Sequence, residues 1–259
     1  QVRQRLVSFW TNHFTMGGFE SRELSSHAME EGILGSFNDS FASMLYKATT
    51  HPAMLMYLDN HISAGPNSQH VRWARSRNEQ AGLNDNLGRE LLELHTVSPD
   101  VNYTETDIRN AAKVLAGWGM DVQGNSPQNL IEQAGTINHW DMYKKNWAEP
   151  GSKVVLGKTI YQGKQGLKQL TDFLATHDHT INHLSFKLAE HFVRDDPQQA
   201  DIDYISNAWR QGNGSMEKIH TAVIERAIDS KEPKFQWPMT WLFQVIRLTD
   251  SRYFKGWSE

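Results

Sequence analysis

The chain contains no cysteine, which excludes disulfides, thiolate nucleophiles and cysteine-ligated zinc. It has no apolar run near the ~20 residues a membrane-spanning helix requires. A basic block is missing too: 26 Lys and Arg stand against 30 Asp and Glu, for a net charge of −4. Phosphate neutralisation needs clustered cations, so nucleic acid is not an expected partner. There is no glycine-rich phosphate loop, no nucleophile-elbow serine and no HExxH, which sets aside NTPase, α/β-hydrolase and zincin chemistry. The chain also lacks an initiator Met. It begins Gln1-Val2-Arg3 inside a helical pattern and reads as a fragment of a longer protein, with any targeting signal upstream.

What is present is helical periodicity. In Arg3 to Phe14, Leu6, Trp10, His13 and Phe14 share a stripe. Phe37, Phe41, Met44, Leu45 and Ala48 form the next, and Pro52 suits the first turn of a third helix reaching Asp59-Asn60. The polar stretch Ser63 to Ala81 reads as a long loop or a poorly packed excursion. A helix over Asn84 to Thr96 follows, and Thr104-Glu105-Thr106-Asp107 resembles a capping box for a stripe of Ile108, Ala111, Ala112, Leu115 and Trp118. Residues 121–150 lack periodicity and form an expected irregular loop; loops of that length are more often functional than decorative. Val154 to Tyr161 reads as a β-hairpin turning on Gly157-Lys158. Helices resume at Leu167–Thr176 and Thr180–Val193. Others are capped by Asp196-Pro197, opened by Ser215, and begun by Pro238. The expected fold is all-α: a single compact multi-helix domain with one small β-hairpin near 154–161.

Several segments carry a resemblance. FWTNHF (Phe9 to Phe14), HPAMLMYLDN (His51 to Asn60), NDNLGRELLELHT (Asn84 to Thr96), YTETDI (Tyr103 to Ile108) and Gly117-Trp118 come in order. LGKTI (Leu156 to Ile160) and HDHTINHLSFKLAEHFVRDDP (His177 to Pro197) follow. Together they resemble the bacterial family described as domain of unknown function 1800, across nearly the whole chain. Membership implies a mainly helical, extracytoplasmic protein, periplasmic or secreted, often encoded beside a sulfatase-like partner, and it implies no reaction. Where the family usually has Ala and Gly, this chain has Gly88 and Ser98.

The candidate site follows from helix geometry. At 100° per residue, Asn86, Arg89, Glu90 and Glu93 fall within about a 100° arc, with leucines on the remainder and His95 on the apolar side. One reading is a solvated face with Arg89 and Glu93 paired at i,i+4. The other makes a carboxylate a general acid or base beside Arg89. Glu90, Glu93, Asp59 and His13 are the expected catalytic residues. Trp10, Asn12, Asn60, Asn86, Arg89 and Trp118 are the expected substrate-binding ones. His13 also reads as a core histidine bonded to backbone, and Asn60 as a helix cap. His179 and His183, at i,i+4, are the weak candidates for a divalent metal; no other cofactor is expected. Lys187 reads either as a buried-stem lysine or as a ligand contact.

Nine Trp and seven Tyr offer faces for sugar stacking, although core Trp is the commoner arrangement in helical domains. The leading expectation is a hydrolase or lyase acting on an extracellular polymer such as a glycan by carboxylate acid–base chemistry. The alternatives are a non-catalytic binding or assembly module on a helical scaffold, and a His-ligated metalloprotein.

Overall fold

The computed structural model describes residues 2–16, 33–119, 143–235 and 238–249. Eleven α-helices and one two-stranded hairpin occur among them. The helices are α1 Val2–His13, α2 Phe41–Thr50, α3 Pro52–Tyr57, α4 Gln69–Ser76, α5 Asn86–Glu93 and α6 Glu105–Leu115. After strands β1 Lys153–Val155 and β2 Lys158–Ile160 come α7 Lys164–Ala175, α8 Asp178–Phe192, α9 Gln199–Gln211, α10 Met216–Asp229 and α11 Pro238–Leu248. Among the described residues the chain adopts the expected all-α fold with one small hairpin.

Helix starts follow side-chain chemistry. Ser40 accepts from the N–H of Ser43 and Ser68 from that of Val71, each satisfying a donor the helix itself cannot. At α6 the capping box is complete: the Thr104 hydroxyl accepts from Asp107 N–H while the Asp107 carboxylate accepts from Thr104 N–H. Asp107 also accepts from Leu156 N–H at 2.8 Å, tying the hairpin to the start of α6.

Three expectations are corrected. Ser63–Ala81 is not simply a loop, because Ser68 caps α4 within it. The hairpin turn is Leu156-Gly157, one residue earlier than expected, since Val155 pairs with Lys158; both turn residues have positive φ, 48° and 75°. Gln198, not Asp196-Pro197, forms the capping box of α9 with Asp201. Residues 120–142 of the expected 121–150 loop lie outside the described residues. The remainder is anchored: Trp118 bridges to Tyr143, Trp147 stacks on His70 at 3.9 Å, and Glu149 accepts from the Asn67 side chain at 2.7 Å.

The core is aromatic around α1, α2 and α9. Trp10, Phe14, Phe41 and Trp209 are fully buried, with Phe41 edge-on to Trp209 at 5.0 Å. Their polar edges are satisfied: Trp10 Nε1 donates to His220 Nε2 at 2.8 Å, and Trp209 Nε1 to Ala175 O at 3.1 Å. Helices α8, α9 and α10 pack on one another, α2 lies on α7, and α5 lies along α6. Asp201, fully buried at the start of α9, pairs with Arg194 at 2.9 Å and Arg226 at 2.5 Å and pins this bundle.

Candidate functional site

Helices α1 and α8 present facing stripes. On α1 the periodicity that buries Leu6 and Trp10 leaves Arg5, Ser8 and Asn12 on the flank, with Phe9 and His13 beside them. On α8 the buried face is Ile181, Leu184, Ser185, Leu188 and Ala189, so His183, Lys187 and His191, at successive i,i+4 positions, fall half-buried along its edge. Between the two helices opens a cleft of about 1280 Å³, lined also by Glu190, Asp195, Lys234, Phe235 and Gln244.

At its floor Lys187 Nζ lies 3.1 Å from His13 Nδ1, and His13 Nε2 lies 3.2 Å from the carbonyl oxygen of His95. A carbonyl only accepts, so Nε2 carries the ring proton and Nδ1 accepts from the lysine. The His13 imidazole is therefore neutral. Its pKa is held well below the ordinary histidine value by burial first, then by the Lys187 charge and by His95. Burial likewise lowers the Lys187 ammonium, against the opposing pull of Glu190. No carboxylate forms an ion pair with Lys187 among the described residues.

His95 reaches this place because α5 ends at Glu93. The N–H groups of both Leu94 and His95 donate to the Glu90 carbonyl, and the Thr96 hydroxyl donates to Leu91 O at 2.6 Å. That turn carries His95 into the interior, where burial, then Lys187, pushes it down to about 4. His183 is lowered by burial and by Lys187, while Asp100 pulls it back up.

The remaining expected site residues are distributed otherwise. Asn12 and His13 line the cleft; Glu90, Glu93 and Asp59 are not among its walls. Arg89 pairs with Glu105 at 3.0 Å, Glu93 at 3.5 Å and Asp85 at 3.8 Å on a face where its side chain is 36% exposed. Pairs so exposed stabilise by about 0.2–1 kcal/mol each. Glu90 is half-buried, and burial, then Glu93, raises its pKa. Glu93 bonds Tyr103, whose phenol is pushed up to about 12 by burial and then by that carboxylate. Asp59 is exposed in a left-handed conformation, φ 55°. Asn60 is buried and donates to Leu115 O at 3.2 Å and Trp118 O at 2.7 Å, clamping the turn after α3 to the end of α6. Trp10 and Trp118 have no exposed face, and Asn86 is exposed at the start of α5. His179 is exposed and His183 half-buried. No three His, Asp or Glu side chains gather in a metal-sized group among the described residues.

These features define a helical protein with a polar cleft floored by a lysine–histidine couple. The family described as protein of unknown function (DUF1800) matches residues 1–259, and the chain belongs to it. No curated protein and no solved structure matches the chain. No helix among the described residues is long and apolar enough to cross a membrane.

Proposed function

We propose that the chain is an acid–base enzyme, a hydrolase or lyase, acting at the α1–α8 cleft on an extracellular polymer such as a glycan. The observation that carries this reading is the hydrogen-bond chain that runs from Lys187 Nζ on the cleft floor through His13 Nδ1 and Nε2 to the buried His95 carbonyl. A lysine softened by burial exchanges its proton nearer neutrality than a free one. The neutral His13 ring fixes where that proton is delivered, and the His95 carbonyl fixes the His13 tautomer. The cleft walls suit a polyhydroxylated chain: amides from Asn12 and Gln244, charged groups from Arg5, Glu190 and Lys234, and the rings of Phe192 and Phe235. Extracytoplasmic placement and a sulfatase-like partner are carried over from the family resemblance as part of the same proposal.

The test is a panel of neutral and acidic polysaccharides, assayed for binding by calorimetry and for cleavage by release of new chain ends. Lys187→Met, which preserves the apolar stem, is expected to keep the fold and lower turnover by roughly 10²–10⁴-fold. Cleavage at an unchanged rate in Lys187→Met, or no polysaccharide bound by the unsubstituted chain, overturns the reading. Binding without cleavage in both proteins identifies a binding module instead.

A further inference from the structure

The Lys187 amine is bonded differently from the ion-paired cations among the described residues. Lys168, Lys234, Arg89, Arg194, Arg210 and Arg226 each pair with a carboxylate, whereas Lys187 makes its hydrogen bond to an imidazole. An ammonium facing a neutral ring nitrogen has no ion-pair partner in contact with it, Glu190 acting only at longer range, and it stands half-buried on a cleft with room for a ligand. Such surroundings convert a lysine from a charge into a nucleophile.

We infer that Lys187 forms a covalent imine with the carbonyl carbon of an aldehyde or ketone ligand, the open-chain end of a sugar being the fitting class. This rests on the cleft being the working site, as proposed above. The amine lone pair attacks the carbonyl carbon, the C=O π electrons move to oxygen, and nitrogen gives up a proton as that oxygen gains one. The resulting carbinolamine loses its hydroxyl as water, and the C=N bond forms without oxidant or reductant. His13 Nδ1, 3.1 Å from Nζ, is placed to accept the nitrogen proton and to return it to the departing hydroxyl. His13 is thus a positioning and proton-holding residue for Lys187. Its own orientation is set by the His95 carbonyl. Glu190, Lys187 and His191 share one stretch of α8, and Glu190 is the carboxylate whose charge acts on Lys187.

Reductive trapping tests this directly. The whole chain is incubated with glycolaldehyde and cyanoborohydride at about pH 7.5, and lysine modification is followed by peptide mass mapping. Exposed Lys158 serves as the internal reference. Lys187 is expected to be trapped severalfold faster than Lys158 despite its poorer access, because burial leaves more of its amine neutral and His13 Nδ1 stands ready to accept the nitrogen proton. The rate at Lys187 is expected to level off at lower pH than that of Nα-acetyl-lysine treated alongside, a profile that needs no variant to fold. Trapping of Lys187 no faster than Lys158, or with the pH profile of Nα-acetyl-lysine, overturns the inference. Glycan turnover lost in Lys187→Met without selective trapping removes the nucleophile and leaves the acid–base role. Selective trapping without any glycan turnover does the reverse.

Discussion

Gly88 sits inside α5 where a helix gains about 1 kcal/mol from alanine. A Cβ at this position would meet the Ala112 backbone nitrogen at 2.7 Å and its Cα at 2.9 Å, and backbone has no rotamer by which to retreat. The close approach of α5 to α6 thus depends on the missing side chain, and overpacking of this kind costs ~1–3 kcal/mol. Gly88→Ala is expected to lower stability by about 1 kcal/mol net, read as a reduced urea midpoint at unchanged slope. A raised midpoint would show that α6 shifts freely. Asp59 and Asn60 teach a related lesson. As a sequence pair they look equally able to serve a pocket, yet Asn60 is spent on two buried carbonyls while Asp59 stands in solvent. Only the carbonyls of Leu115 and Trp118, more than fifty positions away, separate the two, and no local pattern announces them.

Among the elements, α6 carries the strongest local instructions. Asp107 accepts from Thr104 N–H at 2.8 Å, Thr104 Oγ1 at 2.7 Å and Leu156 N–H at 2.8 Å, so one carboxylate starts a helix and docks a hairpin. Burial alone would raise its pKa; the three hydrogen bonds outweigh that and bring it below the usual carboxylate value. Asp107→Ala is expected to cost about 2 kcal/mol, a cap plus charge-assisted bonds, in denaturant titration near neutral pH. The sign with pH follows from the lowered pKa. The contribution is full above the unfolded value near 3.8 and fades as pH falls through the folded one, so wild type and variant converge only in strong acid. A difference that persists unchanged into strong acid would argue that the loss is packing. This box was legible because both partners lie within four residues. Helix α4 was not, since its buried residues are only Val71 and Ala74 and the rest of its face is polar; the Ser68 cap was the usable signal. The hairpin was legible but its turn was misplaced by one, because a leucine at φ 48° is an arrangement that side-chain preferences argue against.

At the scale of the molecule, the candidate cleft is the least legible feature, because Lys187 and His13 stand 174 positions apart and His95 a further element away. Each was visible as a residue, and the resemblance marked all three segments, but their meeting is a product of tertiary packing. The same packing is expected to make the fold acid-sensitive. His13 ends α1, His95 follows α5, and His220 lies on α10 accepting from Trp10, so the three imidazoles join separate helices around one aromatic core. His95 and His220 are each held down to about 4, His95 by burial and Lys187 and His220 by burial, and His13 is lowered in the same direction. Unfolding frees them to titrate near 6.5, so between about 4 and 6.5 the unfolded chain binds protons at His95 and His220 that the folded one refuses, and His13 acts in the same direction. The contribution of His95 and His220 is complete above about 6.5, shrinks as pH falls toward about 4, and changes no further below that. Each such group removes at most about 3 kcal/mol across the window. Urea midpoints are therefore expected to be flat from about pH 8 to 6.5 and to drop steeply toward pH 4, with one cooperative transition throughout. Replacing His220 by Gln, which keeps an acceptor for Trp10, is expected to reduce the slope by about one proton in that window while costing stability at pH 8. Midpoints that stay level down to pH 4.5 would show that the histidines take up protons inside the folded chain, and that the core around Trp10 opens to water without unfolding.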